Sequence, residues 1–419
     1  MARRRVVITG LGCVSPNGNG REAFFEALSA GRSGIRRIEA FATEQLSCRI
    51  AAFVRDFDAE AWVTGKDRQH VSRAVALGLA AATEALNDAG LDAPTLSLAE
   101  RRRFGVLLGS GGGGIEFLER QYGHFFHQEH HKASVYAIPS NTLGTLSSEL
   151  SMRFGLKGLS HVISTGCTSS TDALGYVFHH IQAGRLDRVL CGGVDAPITP
   201  ATMAGFCLMR VLTASSNDTP ERGSRPFSRD RDGFVLGEGA WLMVLESREM
   251  AMARGAKIYA ELRGYGATCD AYHRVRLEEN GEEPARAIEM ALADAELPPD
   301  AVDYMNLHGT STQLNDRIET RAVRLSMGRQ ADKLAASSTK SMIGHPQGAS
   351  GAAGVAASLL ALTRNILPPT LNLLEPDPEC DLDFVPDVGR RAEPEFAVCN
   401  CIGFGSKNSA LVLAREGAV

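Results

Sequence analysis

The chain has 419 residues, 44% of them hydrophobic and 22% charged, with a formal net charge of -5. That length and apolar content can bury one large core or two fused ones, which excludes disorder as the main state. The charge offers no global basic field for nucleic acid; Arg3-Arg4-Arg5 and Arg101-Arg102-Arg103 are local basic runs that read as solvated ends before buried strands.

V-V-I-T-G-L-G at 6–12 reads as the first buried strand, closed by a tight turn. It follows Met1 and three arginines with no long apolar leader, and no later run reaches transmembrane length. A cytoplasmic protein without a membrane partner is therefore expected. Alanine and leucine at helical intervals predict a helix over 68–89 that stops at Gly90. The next strand is F-G-V-L-L-G-S-G at 104–111. His124, His127, His130 and His131 fall in an aromatic, polar insertion that reads as solvated or partner-facing rather than metal-binding. A helix over 141–154 leads to a strand over 161–165, and R-V-L-C-G-G-V-D at 188–195 adds another. Strands alternating with helices imply a mostly parallel α/β sheet covered on both faces.

The pattern then restarts with strands at 241–246, 258–266 and 303–309, followed by late ones near 396–402 and 409–415. Two layered halves, 1–255 and 256–419, are expected; a short helix near 247–258 joins them without a flexible linker. There is no short-period repeat, and the Gly-rich turns at 10–12 and 110–114 fit neither phosphate-loop nor dinucleotide spacing. Nine cysteines without paired C-x-x-C spacing read as reduced thiols. Cys399 and Cys401 read as strand positions facing opposite sides, and no metal is expected.

Three scattered segments carry chemistry: V-I-S-T-G-C-T-S-S-T-D-A around Cys167, N-L-H-G-T-S-T around His308, and S-S-T-K-S-M-I-G-H-P-Q-G around His345. Each places a nucleophile or an imidazole in a Gly/Ser/Thr-rich turn after an apolar run, which suits acyl transfer through a cysteine thioester. Strand, sharp turn and helix around Cys167 put its sulfur near a helix N-terminus, where free N–H groups favour thiolate and offer an oxyanion site. The other cysteines read as small buried residues. A neutral imidazole donates to a developing enolate, and a titratable one moves a proton.

With R-P-F-S-R-D-R-D-G-F-V-L-G-E-G-A at 225–240, P-P-T-L-N-L-L-E-P-D-P-E-C-D-L-D-F-V-P at 368–386 and I-G-F-G at 402–405, these segments resemble the elongating β-ketoacyl-acyl carrier protein synthases of the thiolase superfamily. The resemblance spans nearly the whole chain. It implies an α/β architecture of duplicated five-layer α-β-α-β-α type and a dimer. It implies that Cys167 accepts an acyl chain from carrier-protein phosphopantetheine and that His308 and His345 stabilise the enolate formed when malonyl carrier loses carbon dioxide. By the same resemblance Lys340 supports the site electrostatically, Thr310 and Thr312 line the pantetheine tunnel, and Phe404 gates it. Read alone, Lys340 is a solvated turn lysine, the two threonines satisfy turn backbone, and Phe404 is core. Asp232, Glu238 and Gly239 shape the scaffold, and Asp316 and Glu319 orient the helix after His308. No cofactor is tightly bound; phosphopantetheine arrives on the acyl carrier protein.

Departures lie beside this core. Gly354 stands where many elongating synthases carry a glutamate partner for the lysine. Arg274, Val275 and Arg276 replace a Met-Thr-containing stretch and add positive charge toward an acidic carrier protein. Ser406-Lys407 replaces Gly-Thr beside the gate. The wording T-G-C-T-S resembles ketosynthase subunits of type II polyketide systems, which pair with a homologous chain-length factor lacking the cysteine; homodimer and heterodimer both stay open. Primary fatty-acid elongation is the alternative pathway. Cysteine hydrolysis at a nucleophile elbow and a noncatalytic, tunnel-shaping subunit are the alternatives of other classes.

Overall fold

The computed structural model describes residues 3–63 and 65–418. Ten strands carry the architecture: β1 (Val6–Ser15), β2 (Phe104–Gly109), β3 (Ser160–Ile163), β4 (Arg188–Asp195), β5 (Gly239–Ser247), β6 (Ala260–Cys269), β7 (Tyr304–Asn306), β8 (Ala335–Ser337), β9 (Phe396–Gly403) and β10 (Lys407–Ala414). Their hydrogen-bonded order is β3-β2-β4-β5-β1-β6-β10-β9-β7-β8. Adding five to each label of the first half reproduces the wiring of the second. In each half the strands nearest the outer edge pair in parallel, and those nearest the middle pair antiparallel. The halves meet where Val6, Val7 and Ile8 pair with Leu262, Glu261 and Ala260.

The sheet is therefore mixed, and the expectation of a mostly parallel one is corrected. Helices cover both faces of β1, β5 and β10, so these antiparallel strands carry the buried apolar runs usual for parallel ones. Strand direction leaves no mark on such a run. The duplicated α/β arrangement itself is present.

Six helices supply the layers: α1 (Arg73–Asp88), α2 (Thr145–Phe154), α3 (Ser169–Gln182), α4 (Glu282–Asp294), α5 (Gln313–Met327) and α6 (Ser350–Arg364). Period-two alternation sorts strand side chains between an inner and two outer cores. On β5, Trp241, Met243 and Leu245 join the inner core with Leu174 of α3 and Val355 of α6, while Leu242 and Val244 join Leu77 and Leu86 of α1 outside. On β10, Leu411 and Leu413 face inward, and Ala410 and Val412 face Ile288 of α4 and Val323 of α5. Helices α3 and α6 thus form a central layer between the two half-sheets. The α6 sequence S-G-A-A-G-V-A-A-S-L-L-A-L is buried from Ser350 to Leu362, as expected of a helix with small residues all round. Each large aliphatic chain fully buried there adds about 1.5–3 kcal/mol. Among the described residues no helix is long and apolar enough to cross a membrane.

Duplication also positions the chemistry. The connection from β3 into α3 holds Cys167, and its counterpart from β8 into α6 holds His345, so both helix N-termini meet at the centre of the molecule.

Candidate active site

Cys167 sits in a short 3-10 turn, Gly166–Thr168, that runs directly into α3. The turn is sharp because Gly166 takes φ +74, a region open to glycine. It is held from below by Asp172, which accepts the hydroxyls of Thr165 (2.5 Å), Thr168 (3.0 Å) and Tyr265 (2.8 Å). Burial pushes the Cys167 thiol up to about 11, while backbone donors of Phe404 and Cys167 itself and the charge of Lys340 pull the other way. The expected resting thiolate is thus corrected: desolvation outweighs the helix N-terminus.

His308 leaves β7 in a loop whose backbone is gripped by α5. Glu319 accepts the N–H of His308 and of Gly309, both at 2.6 Å, and Asn400 donates to the same carboxyl at 2.6 Å. Asp316 accepts the N–H of Thr310 at 3.0 Å and of Phe227 at 2.8 Å, beside the buried Arg231. The two acids were expected to orient α5; they hold the His308 loop onto it.

His345 is fixed by the stretch read as scaffold. Its N–H donates to the Val235 carbonyl at 2.7 Å, and Gly237 donates back to its carbonyl at 3.0 Å. Phe234 packs edge-on against the ring at 5.1 Å between centroids. Nδ1 accepts the backbone N–H of Gln347 at 3.2 Å and lies 3.0 Å from the Ser350 hydroxyl. Asp195, at the end of β4, ties this loop to the Gly-rich turn by accepting N–H groups from Gly111, Gly112 and Gly348 and the Ser110 hydroxyl. Asp232 and Glu238 do serve the scaffold, pairing with Arg225 and Arg73.

The three side chains converge. The Cys167 sulfur and one ring nitrogen of each histidine all lie within 4.8 Å of one another, and the rings cross at 86° with centroids 5.2 Å apart. Burial lowers both imidazoles well below the ordinary value, with Lys340 adding to the effect on each and His345 adding to it on His308. Both are neutral near pH 7. Lys340 is itself buried at the start of the turn that leads to His345.

One cavity of about 140 Å³ is lined by Cys167, His308, His345, Thr310, Thr312 and Phe404, all named from sequence, and also by Phe234, Val275 and Arg276. The hydroxyls of Thr310 and Thr312 are 2.9 Å apart. Two of the departing segments meet there. Ser406, at φ +64 in the turn between β9 and β10, bonds the His273 carbonyl at 2.9 Å, and Gly405 N–H bonds that of Arg274 at 2.8 Å. Phe404 is thereby tied to the 273–276 segment.

Cys399 and Cys401 share a face, as positions two apart must, which corrects the expectation of opposite sides. Cys399 contacts the Gly351 carbonyl at 3.6 Å, and Cys401 reaches the Cys167 carbonyl at 3.0 Å and His308 Nδ1 at 3.4 Å. Sequence reading also missed Asn400 and Asp195. His124, His127, His130 and His131 lie away from the cavity, the last three exposed.

The absent glutamate at 354 has a steric cause. A Cβ on Gly354 would come within 2.6 Å of Asn306 Oδ1 and 2.7 Å of Cys399 Sγ. Gly354→Glu is expected to lose stability through overpacking, about 1–3 kcal/mol before the buried charge is counted. A thermal midpoint several degrees lower in that variant checks this; an unchanged midpoint would show that Asn306 and Cys399 yield.

Residues 3–251 match the N-terminal domain of beta-ketoacyl synthase and residues 259–374 its C-terminal domain. The chain is 40% identical to a 3-oxoacyl-[acyl-carrier-protein] synthase 2 of Synechocystis over 99% of both chains. It is 44% identical to a putative polyketide beta-ketoacyl synthase 1 of Streptomyces cyaneus over 98% of each. Among solved structures, the ishigamide ketosynthase/chain length factor superposes with a TM-score of 0.90 at 34% identity, covering 99% of this chain and 100% of that one. With a buried thiol and paired imidazoles at the heart of a duplicated α/β fold, this chain belongs to the beta-ketoacyl synthase family.

Proposed function

We propose that this chain catalyses decarboxylative Claisen condensation between an acyl group on Cys167 and a malonyl group on an acyl carrier protein. The observation that carries the reading is the convergence of one thiol and two neutral imidazoles within 4.8 Å in one cavity. The acyl chain arrives on carrier phosphopantetheine, and Thr310 and Thr312 bond the arm's amides. Cys167 takes the acyl group. The backbone N–H groups of Phe404 and Cys167 beside the sulfur hold the oxyanion of the tetrahedral intermediate. His308 and His345 then hold the enolate oxygen left by carbon dioxide, and the charge of Lys340 offsets the developing anion. The enolate carbon attacks the Cys167 thioester and yields a β-ketoacyl carrier longer by two carbons. Residues 1–255 contribute the nucleophile and 256–419 the histidines.

The pathway we favour is type II polyketide assembly, on the T-G-C-T-S wording and the departures around the gate. A second subunit, whether a copy of this chain or a chain-length factor, suits the exposed Phe125, Phe126, Val135 and Ile138 and the partly exposed edge strand β3. Fatty-acid elongation has its own support in the Synechocystis relative, which matches over 99% of both chains.

The test supplies purified protein, alone and with any co-purifying subunit, with malonyl carrier and defined acyl primers, and weighs the carrier-bound products. β-Ketoacyl carriers are expected. Efficient elongation of saturated primers by the chain alone would move it to fatty-acid synthesis, and free acid without carbon-carbon bond formation would sink the condensing reading. His345→Ala is expected to keep Cys167 acylation while slowing carbon dioxide release about 100- to 1,000-fold.

A further inference from the structure

Hydrogen-bond accounting gives the two imidazoles different tautomers. His345 Nδ1 accepts a backbone N–H, from Gln347 at 3.2 Å, so its ring hydrogen sits on Nε2. His308 Nδ1 faces the Cys401 sulfur at 3.4 Å, and that sulfur lies 3.0 Å from the Cys167 carbonyl oxygen. A carbonyl only accepts, and at 3.0 Å against 3.4 Å it is the nearer partner, so the single S–H of Cys401 is assigned to it. The sulfur lone pairs then face His308 Nδ1, and the contact is favourable when that nitrogen bears the hydrogen.

Resting on the condensing reading above and deepening it, we propose that Cys401 is a positioning residue. By spending its S–H on the Cys167 carbonyl, it holds the His308 ring hydrogen on Nδ1 and leaves Nε2 as the acceptor for the Cys167 thiol proton.

A second observation supports this. The Cys167 thiol is buried and protonated at neutral pH, so it needs a base to attack a thioester. Among the described residues no carboxylate accepts from either ring: Asp172, Asp195 and Glu319 are engaged by hydroxyls, backbone N–H groups and Asn400. The titratable and charged groups around the His308 ring are His345, Lys340, Cys167 and Cys401.

The protons balance. As the Cys167 sulfur bonds the acyl carbon, its proton passes to His308 Nε2; the carrier sulfur leaves with its electron pair and takes a proton from solvent. The imidazolium then presents an Nε2–H to the enolate oxygen formed when the malonyl carbon-carboxylate bond breaks. When that carbon bonds the acyl carbon, the Cys167 sulfur leaves with its pair and recovers the proton from His308. One solvent proton is consumed per turn, matching the carboxylate lost as carbon dioxide.

Site-resolved alkylation of Cys167 by iodoacetamide tests this, followed by mass spectrometry across pH 6 to 9. With a neutral imidazole as base, the wild-type rate is expected to be flat within about twofold over that range. Cys401→Ala removes the acceptor of Nδ1–H. Its rate is expected to drop about tenfold at pH 7 and to climb about tenfold per pH unit, as unaided thiolate does. Cys401→Ser, which donates and accepts in the same place, is expected to restore the flat profile. Nitrogen NMR of isotope-labelled histidine in the wild type, which needs no variant to fold, is expected to find His308 protonated on Nδ1. A wild-type rate that rises tenfold per unit, a Cys401→Ala profile like the wild type, or a hydrogen on His308 Nε2 would each overturn the proposal. Both measurements are independent of condensation, so failure to make β-ketoacyl product would sink the condensing reading and leave the tautomer assignment standing.

Discussion

Cys167→Ala is expected to form no acyl-enzyme and to lower condensation by at least about a thousandfold, because the reaction loses its only covalent carrier. Protein folding should survive, since the change removes one sulfur from a turn fixed by Asp172, Thr165 and Thr168 rather than by the thiol. Malonyl carrier should still lose carbon dioxide in this variant, because His345 and Lys340 keep their supports outside the Cys167 turn and His308 takes from solvent the proton that the thiol no longer supplies. The measurements are intact-protein mass after incubation with acyl carrier, and carbon dioxide release with malonyl carrier alone. Normal product formation by Cys167→Ala would refute the nucleophile assignment.

The same geometry weighs against a cysteine hydrolase. Such enzymes work with a single imidazole, oriented by a carboxylate or amide side chain. Here Nδ1 of His345 meets a backbone N–H and the Ser350 hydroxyl, and Nδ1 of His308 meets a thiol. Desolvation moves Cys167 up and both histidines down, so the resting site is a neutral thiol beside neutral rings. Two imidazoles on one point suit a transient enolate, whose charge appears only as carbon dioxide leaves: His345 donates from Nε2, and His308 donates there once it holds the thiol proton.

Cys167 and His308 were legible because each follows a strand in a turn of small residues, the arrangement that frees a side chain at its carboxyl end; His345 lies in a small-residue turn too, but past the short helix Lys340–Ile343 rather than directly after a strand. Thr310, Thr312 and Phe404 were legible only through resemblance; nothing in their spacing distinguishes a cavity wall from a turn or a core. Strand direction was not legible, since β1, β5 and β10 are covered on both faces and read as parallel strands do. Glu319 had a usable signal. Asp316, Glu319, Thr320 and Val323 fall on one buried stripe of α5 at helical spacing, and two acids on an inward face need partners there. The thiolate expectation failed because a helix terminus acts over one turn while burial acts on the whole group.

Glu319→Ala is expected to be the most damaging change outside the reacting groups. It strands the N–H groups of His308 and Gly309 and the Asn400 amide, three buried donors whose loss of an acceptor costs about 1–3 kcal/mol each. A much lower thermal midpoint and loss of malonyl decarboxylation should appear together, because the loop that unfastens carries His308. Glu319→Gln keeps one acceptor oxygen and separates the titration from the packing. Burial raises the Glu319 carboxyl to about 7 from an ordinary 4.5, against the pull of its three donors. A carboxyl that holds its proton more tightly in the folded state adds stability below the unfolded value, and that contribution is lost as pH rises through about 7. The span is on the order of 3 kcal/mol. The wild-type midpoint is therefore expected to fall relative to Glu319→Gln between about pH 5 and pH 8, since the amide has nothing to titrate there. A gap that stays constant with pH would mean that the carboxyl is ionised throughout and that its three donors, rather than burial, set its charge.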